Sequence, residues 1–137
     1  MLITRRERFS SSHRLYREDW SEEKNFEIFD KCSNLHGHNY ELFITVQGTV
    51  NKETGFVVNL KELSRVVKQN IIEKLDHKNL NTDVDFLKNT IVTSENIAIA
   101  IWGNIETKII ELGVELYCIK LVETENNFIE YYGNKHK

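Results

Sequence analysis

The chain has 137 residues, 40% of them apolar and 28% charged, with a net charge of −3. That suffices for a single domain over residues 1–137 with one real core, and the balance excludes a disordered chain. No run of about 18 apolar residues is present to span a membrane. Nor is there a Lys/Arg stripe interleaved with aromatics to hold nucleic acid.

The opening stretch, Met1-Leu2-Ile3-Thr4-Arg5-Arg6, stays charged, which predicts no secretory signal and a cytoplasmic protein. In that setting two cysteines make no disulfide framework. Cys118 falls in an alternating apolar run and is expected to be a buried small hydrophobe. Leu2 to Phe9 reads as a first strand whose arginines suit a sheet edge or an interface, and His13 ends that run. Arg14 to Lys31 is a long polar excursion carrying Trp20, Phe26 and Phe29, with a short helix expected over Glu22 to Phe29. Glu41 to Val50 alternates as the best strand. Phe56-Val57-Val58, after a turn at Asn51 to Gly55, is expected to return beside it as a hairpin.

Asn59 with Glu62 resembles a capping box. Leu60, Leu63, Val66, Val67, Ile71 and Leu75 then repeat at helical spacing, so a helix should end near Leu75. Thr93 or Ser94 caps a second helix with Glu95 in its first turn. Ile97, Ile101, Ile105 and Ile109 form its buried ridge, and Gly113 stops it. Glu115 to Glu123 and Phe128 to Tyr132 make a closing hairpin. The order β-β-β-α-α-β-β favours an α+β fold, an antiparallel four-stranded sheet with two helices on one face. Solvent or another subunit must cover the other face.

Candidate chemistry gathers at Cys32-Ser33-Asn34-Leu35-His36-Gly37-His38-Asn39-Tyr40. His36 and His38 lie two apart on strand-like sequence, so their imidazoles share a face. Gly37 leaves the opposite face bare for a close approach, and His13 offers a third imidazole. Three neutral imidazoles suit a divalent borderline metal, zinc first. With three histidines alone the site would be open and catalytic; with Cys32 as fourth ligand it would be closed and structural. Spacing leaves both open, including a non-catalytic zinc-stabilised interaction module.

Other residues carry two readings each. Asp76-His77 at a helix end is either a dipole-stabilising histidine with a turn aspartate, or a carboxylate orienting a proton-relaying imidazole. Glu123 is either an exposed strand-end carboxylate or a buried anchor for a guanidinium-like edge. His136, in the tail, is set aside.

Six segments in order carry a resemblance: Phe9-Ser10-Ser11-Ser12-His13-Arg14-Leu15, Cys32-x3-His36-Gly37-His38-Asn39-Tyr40, Thr54-Gly55-Phe56-Val57-Val58-Asn59-Leu60, Leu75-Asp76-His77-Lys78-Asn79-Leu80, Thr93-Ser94-Glu95-Asn96 and Val122-Glu123-Thr124. Over nearly its whole length the chain resembles the 6-pyruvoyltetrahydropterin synthase family, which also contains the 6-carboxytetrahydropterin synthases of queuosine biosynthesis. The resemblance implies zinc on His13, His36 and His38, and Cys32 as the catalytic base. It implies Asp76 and His77 as a proton relay, and Glu123 as the anchor of the pterin's 2-amino-pyrimidinone edge. It places Thr93, Ser94 and Glu95 near the substrate. It further implies the tunnelling fold, an oligomeric barrel of three subunits stacked as a homohexamer with active sites between chains.

The implied reaction converts 7,8-dihydroneopterin triphosphate to 6-pyruvoyltetrahydropterin with elimination of triphosphate and no nicotinamide. Arg14, Lys24 and Lys31 are the candidates to hold the triphosphate. The alternative is 6-carboxy-5,6,7,8-tetrahydropterin formation. The long 14–31 segment and Glu123-Thr124-Glu125-Asn126-Asn127 resemble the pyruvoyl branch, whereas the short Cys32-x3-His36 spacing resembles the carboxy branch.

Overall fold

Residues 1–135 are described by a computed structural model, and His136 lies outside them. The first strand, β1 (Leu2–His13), is followed by α1 (Glu22–Phe29), a 3-10 turn over Asp30–Ser33 and β2 (His36–Gln47). Next come α2 (Leu60–Val67), a π turn over Lys68–Ile72, α3 (Glu73–Leu75), β3 (Lys78–Asn79) and α4 (Ser94–Glu111). The chain closes with β4 (Glu115–Thr124) and β5 (Asn127–Tyr131). Among the described residues, no helix is long and apolar enough to cross a membrane.

The sheet runs in the order β3-β1-β2-β4-β5, antiparallel throughout except for the two-residue parallel pairing of β1 with β3. It is therefore a mixed five-stranded sheet and not the expected antiparallel four-stranded one. On the far side from β2, β1 meets β3 only at Ser11 and Ser12, so residues 2–10 form an edge, as their charge suggested.

The expected strand at Phe56–Val58 is absent. β2 already pairs with β1 and β4 and has no free side to offer. The segment closes a tight loop instead, with Gly55 N–H on the Asn51 carbonyl at 2.7 Å and Asn51 N–H on the Phe56 carbonyl at 3.0 Å. Val58 still reaches the core while Phe56 stays exposed.

The capping box is also only half formed. Asn59 accepts from Lys61 N–H at 2.9 Å, while Glu62 turns to Arg65 at 2.8 Å. The helix does reach Leu75, through the π turn. Leu63, Val67, Ile71 and Leu75 are all fully buried. Four-residue steps overshoot a full α-helical turn by about 40° each, and one wider turn cancels part of that drift.

In α4 the Thr93 side chain caps Asn96 N–H at 3.2 Å, and all four isoleucines of the ridge are completely buried. Gly113, at φ 85°, takes the left-handed conformation that ends the helix. The ridge packs with Tyr40, Leu42, Ile44 and Val46 of β2 and Leu116, Ile119 and Leu121 of β4 in one apolar cluster. The opposite sheet face is half-polar: Thr4 meets Thr45 at 2.7 Å, and Lys120 lies over both Phe43 and Phe128.

α1 stands where expected, capped by Ser21 on Lys24 N–H at 3.1 Å. Asn25, almost fully buried, stitches the excursion together: its side chain accepts from Arg17 N–H and donates to the Arg17, Trp20 and Ser21 carbonyls. This loop delivers the chain to Cys32.

Candidate active site

The antiparallel register of β1 and β2 sets His13 opposite His36 and Ser11 opposite His38. His36 and His38 share the strand face that further along buries Tyr40, Leu42 and Ile44. Gly37 between them passes close to β1: a Cβ there would lie 3.2 Å from the Ser11 carbonyl oxygen. The three ring centroids stand 4.7, 4.9 and 5.2 Å apart. One ligand atom of each lies within 4.8 Å of the others.

Hydrogen bonds orient two of the rings. His13 Nδ1 is 2.8 Å from the Val92 carbonyl and His36 Nδ1 is 2.7 Å from the Asn34 carbonyl. A carbonyl only accepts, so each Nδ1 carries the proton and each Nε2 is left with a lone pair. His38 Nε2 is buried without a hydrogen-bond partner, 3.7 Å from Glu123 Oε1. A buried nitrogen with no partner, beside two oriented lone pairs, fits a divalent metal of the zinc type. Cys32 is not part of the convergent group.

Burial holds His13 below its ordinary pKa, helped by His36 and His38 and opposed by the Val92 carbonyl and Glu123. His38 is lowered for the same first reason, with Glu123 opposing. The sign follows from linkage. A folded-state pKa below the unfolded one favours folding at pH above the unfolded value, and that contribution is lost as pH falls through the folded one. The metal-free protein is therefore expected to lose melting temperature as pH drops from about 7 through the histidine range near 6.5 and below. A melting temperature flat over that window would show that these rings do not titrate with unfolding.

Glu123 lies beside the triad at the end of β4. The Ser94 hydroxyl, buried in the first turn of α4, donates to Glu123 Oε2 at 2.6 Å. Together with Leu15, Thr93, Glu95 and Ile129 the two line a cleft of about 280 Å³. Glu95 is exposed on its rim, and the Thr93 hydroxyl is committed to its capping bond. So Glu123 is a half-buried, hydrogen-bonded carboxylate and not a free strand-end group.

Cys32 sits exposed on the 3-10 turn, its carbonyl accepting from Leu15 N–H at 2.8 Å. Its backbone is thereby tied to a residue that lines the Glu123 cleft. Of the cations considered for phosphate, Arg14 lies over the Tyr16 ring and Lys24 over Trp20.

Asp76 and His77 do meet, because the chain turns sharply between them. His77 takes φ 59°, a left-handed conformation unfavourable for a non-glycine residue. It is held there by its own N–H on the Ser10 carbonyl at 2.6 Å. Asp76 Oδ1 accepts from Ser10 N–H at 2.8 Å and Oδ2 faces His77 Nδ1 at 2.9 Å. The Ser10 N–H, and after it His77, hold the Asp76 carboxyl below the usual range. His77 is largely exposed and lines a second cleft, with Ser10, Ser12, Asn39, Lys78 and Asn79, that borders the triad strand at Gly37 and His38. Ser10, Ser12 and Asn39 alternate away from the imidazole face of their strands.

Sequence reasoning did not find the Val92 carbonyl that orients His13 from 79 positions away. Every residue carries a carbonyl, so no residue-type signal marks it.

A family model described as 6-pyruvoyl tetrahydropterin synthase matches residues 2–134. The chain is 45% identical over 133 residues to a Dictyostelium discoideum protein named 6-pyruvoyl tetrahydrobiopterin synthase, covering 97% of this chain and 96% of that one. The solved structure of Caenorhabditis elegans 6-pyruvoyl tetrahydropterin synthase superposes with a TM-score of 0.90 at 34% identity, covering 98% and 96% of the two chains. A Bacillus subtilis 6-carboxy-5,6,7,8-tetrahydropterin synthase matches at 31% over 109 residues, 76% of this chain and 72% of that one.

Proposed function

The chain belongs to the 6-pyruvoyl tetrahydropterin synthase family, and from that premise we propose that it is a zinc-dependent carbon–oxygen lyase that forms 6-pyruvoyltetrahydropterin. Its substrate is 7,8-dihydroneopterin triphosphate. The observation that carries the reading is the convergence of three imidazoles, two of them tautomerically fixed, beside a carboxylate that faces a cleft. Higher identity to the pyruvoyl-named relative than to the carboxy-named one favours the pyruvoyl product.

His13, His36 and His38 hold the metal. Bound there, zinc supplies Lewis acidity that polarises side-chain oxygens and acidifies the adjoining C–H. Glu123, steadied by Ser94, accepts paired hydrogen bonds from the 2-amino-pyrimidinone edge and fixes the ring in the cleft. Cys32, as thiolate, removes the side-chain proton. His77, poised by Asp76, moves protons during the internal redox step, and triphosphate departs by elimination without hydrolysis. Ser10, Ser12 and Asn39 beside His77 lie on the strand face opposite the imidazoles, which supports a relay that serves Cys32 of another copy. A homohexamer of two stacked trimeric barrels, covering the half-polar sheet face, provides that arrangement.

The test is incubation of the purified protein with 7,8-dihydroneopterin triphosphate and identification of the product by mass. A pyruvoyl product with free triphosphate is expected; a carboxy product with acetaldehyde would assign the chain to the other branch. Glu123→Gln is expected to weaken pterin binding by about 1.5–3 kcal/mol, the scale of a hydrogen bond to a charged group. Unchanged affinity in a direct titration would remove Glu123 from the site.

A further inference from the structure

Tyr40 stands two residues beyond His38 on β2, and so on the imidazole face. It is completely buried, with its ring stacked on Phe9 at 4.8 Å. The ring sits edge-on to His38 at 5.5 Å and to His13 at 6.2 Å, against two rings of the triad. The periodicity of the strand reads Tyr40 as an ordinary core residue. Its hydroxyl is not ordinary: its one hydrogen-bond partner among the described residues is His13 Nε2, at 3.5 Å.

The direction of that contact is fixed. His13 Nδ1 donates to Val92, so Nε2 accepts and the Tyr40 O–H donates. At 3.5 Å the bond is at the long limit and weak. The lone pair that it uses is also the one that His13 offers to a metal. Both cannot hold it, so metal binding leaves a buried hydroxyl proton without an acceptor. A buried unpaired hydroxyl is costly and rare. The nearby carboxylate, Glu123, already takes Ser94 on Oε2 and faces His38 with Oε1.

We propose that Tyr40 is a substrate-positioning residue: in the metal-loaded protein its phenol donates to the side-chain oxygen that the substrate brings to the triad. The inference rests on the zinc and pterin reading above. It gives Tyr40 two partners in turn, His13 before metal binds and the ligand's hydroxyl or carbonyl oxygen afterwards. It also makes the triad selective for pterins that carry an oxygenated side chain.

The test is equilibrium binding of two probes, 7,8-dihydroneopterin and 7,8-dihydropterin, which lacks the side chain, to the parent and to Tyr40→Phe, each with and without zinc. Zinc affinity and melting temperature are measured alongside. The zinc-loaded variant should bind dihydroneopterin about tenfold more weakly than the parent, the size of one hydrogen bond. Dihydropterin binding and melting temperature should stay within about threefold or a few degrees of the parent, while zinc affinity without ligand should rise, because the variant has no hydroxyl to leave unpaired when the metal takes the His13 lone pair. Equal weakening of both probes would place the hydroxyl on Glu123 and overturn the proposal. So would unchanged dihydroneopterin binding with tighter zinc, since the phenol would then be only a competitor for His13. A variant that melts early and loses zinc would make Tyr40 a packing residue alone. If the parent itself binds dihydroneopterin no better with zinc than without, the underlying reading fails and takes the inference with it.

Discussion

Cys32→Ser is expected to lower turnover by about 10²–10⁴-fold, the usual reach of a positioned acid–base group, while zinc content and melting temperature stay at parent values. The thiol is exposed on the 3-10 turn and lies outside the convergent imidazole group. The turn is held through backbone, by Leu15 N–H on the Cys32 carbonyl, which a serine retains. The substitution therefore removes a sulfur and little else. A serine hydroxyl is a far weaker acid than a thiol and supplies almost no anion to accept the substrate's proton. A zinc-stabilised interaction module makes the opposite prediction. There the sulfur is a metal ligand, and Cys32→Ser loses zinc and melts early. Turnover alone cannot separate the two readings, so metal content and the melt are measured on the same sample.

His38→Ala should cost more at the metal. Loss of a group that merely orients a ligand reduces metal affinity about 10–100-fold, and loss of a ligand itself should exceed that range. His38 is the sharpest choice because its Nε2 is buried with no partner in the protein. The parent, saturated at about 100 times its dissociation constant, should gain about 2.7 kcal/mol of stability from zinc. The variant should show no zinc-dependent shift in its melt. Full zinc occupancy in His38→Ala, measured by elemental analysis, would remove this residue from the coordination set.

Much of this site was legible from residue types. His36-Gly37-His38 on alternating sequence placed two imidazoles on one face, and the register with β1 then set His13 across from His36. The α4 ridge was equally plain, because four isoleucines spaced four apart leave one face to bury, while its cap was narrowed to Thr93 or Ser94 and proves to be Thr93. The failures have a common cause. Phe56–Val58 has the composition of a strand, but pairing needs a free partner edge, and β2 had none. β3 spans two polar residues whose pairing rests on Ser11 and Ser12 of β1, a contact that no local pattern announces. The Asp76–His77 contact, which spacing left open and the resemblance implied, needed a left-handed turn at a histidine, which propensity argues against. The Ser10 backbone enforces it by binding both residues. In each case a long-range backbone hydrogen bond decided the outcome.

The most direct test of the account is X-ray absorption at the zinc edge of the loaded protein. The account predicts a first shell of nitrogen and oxygen scatterers at about 2.0–2.1 Å, three of them imidazole. A sulfur scatterer at about 2.3 Å would put Cys32 on the metal, close the open position and contradict the proposed chemistry.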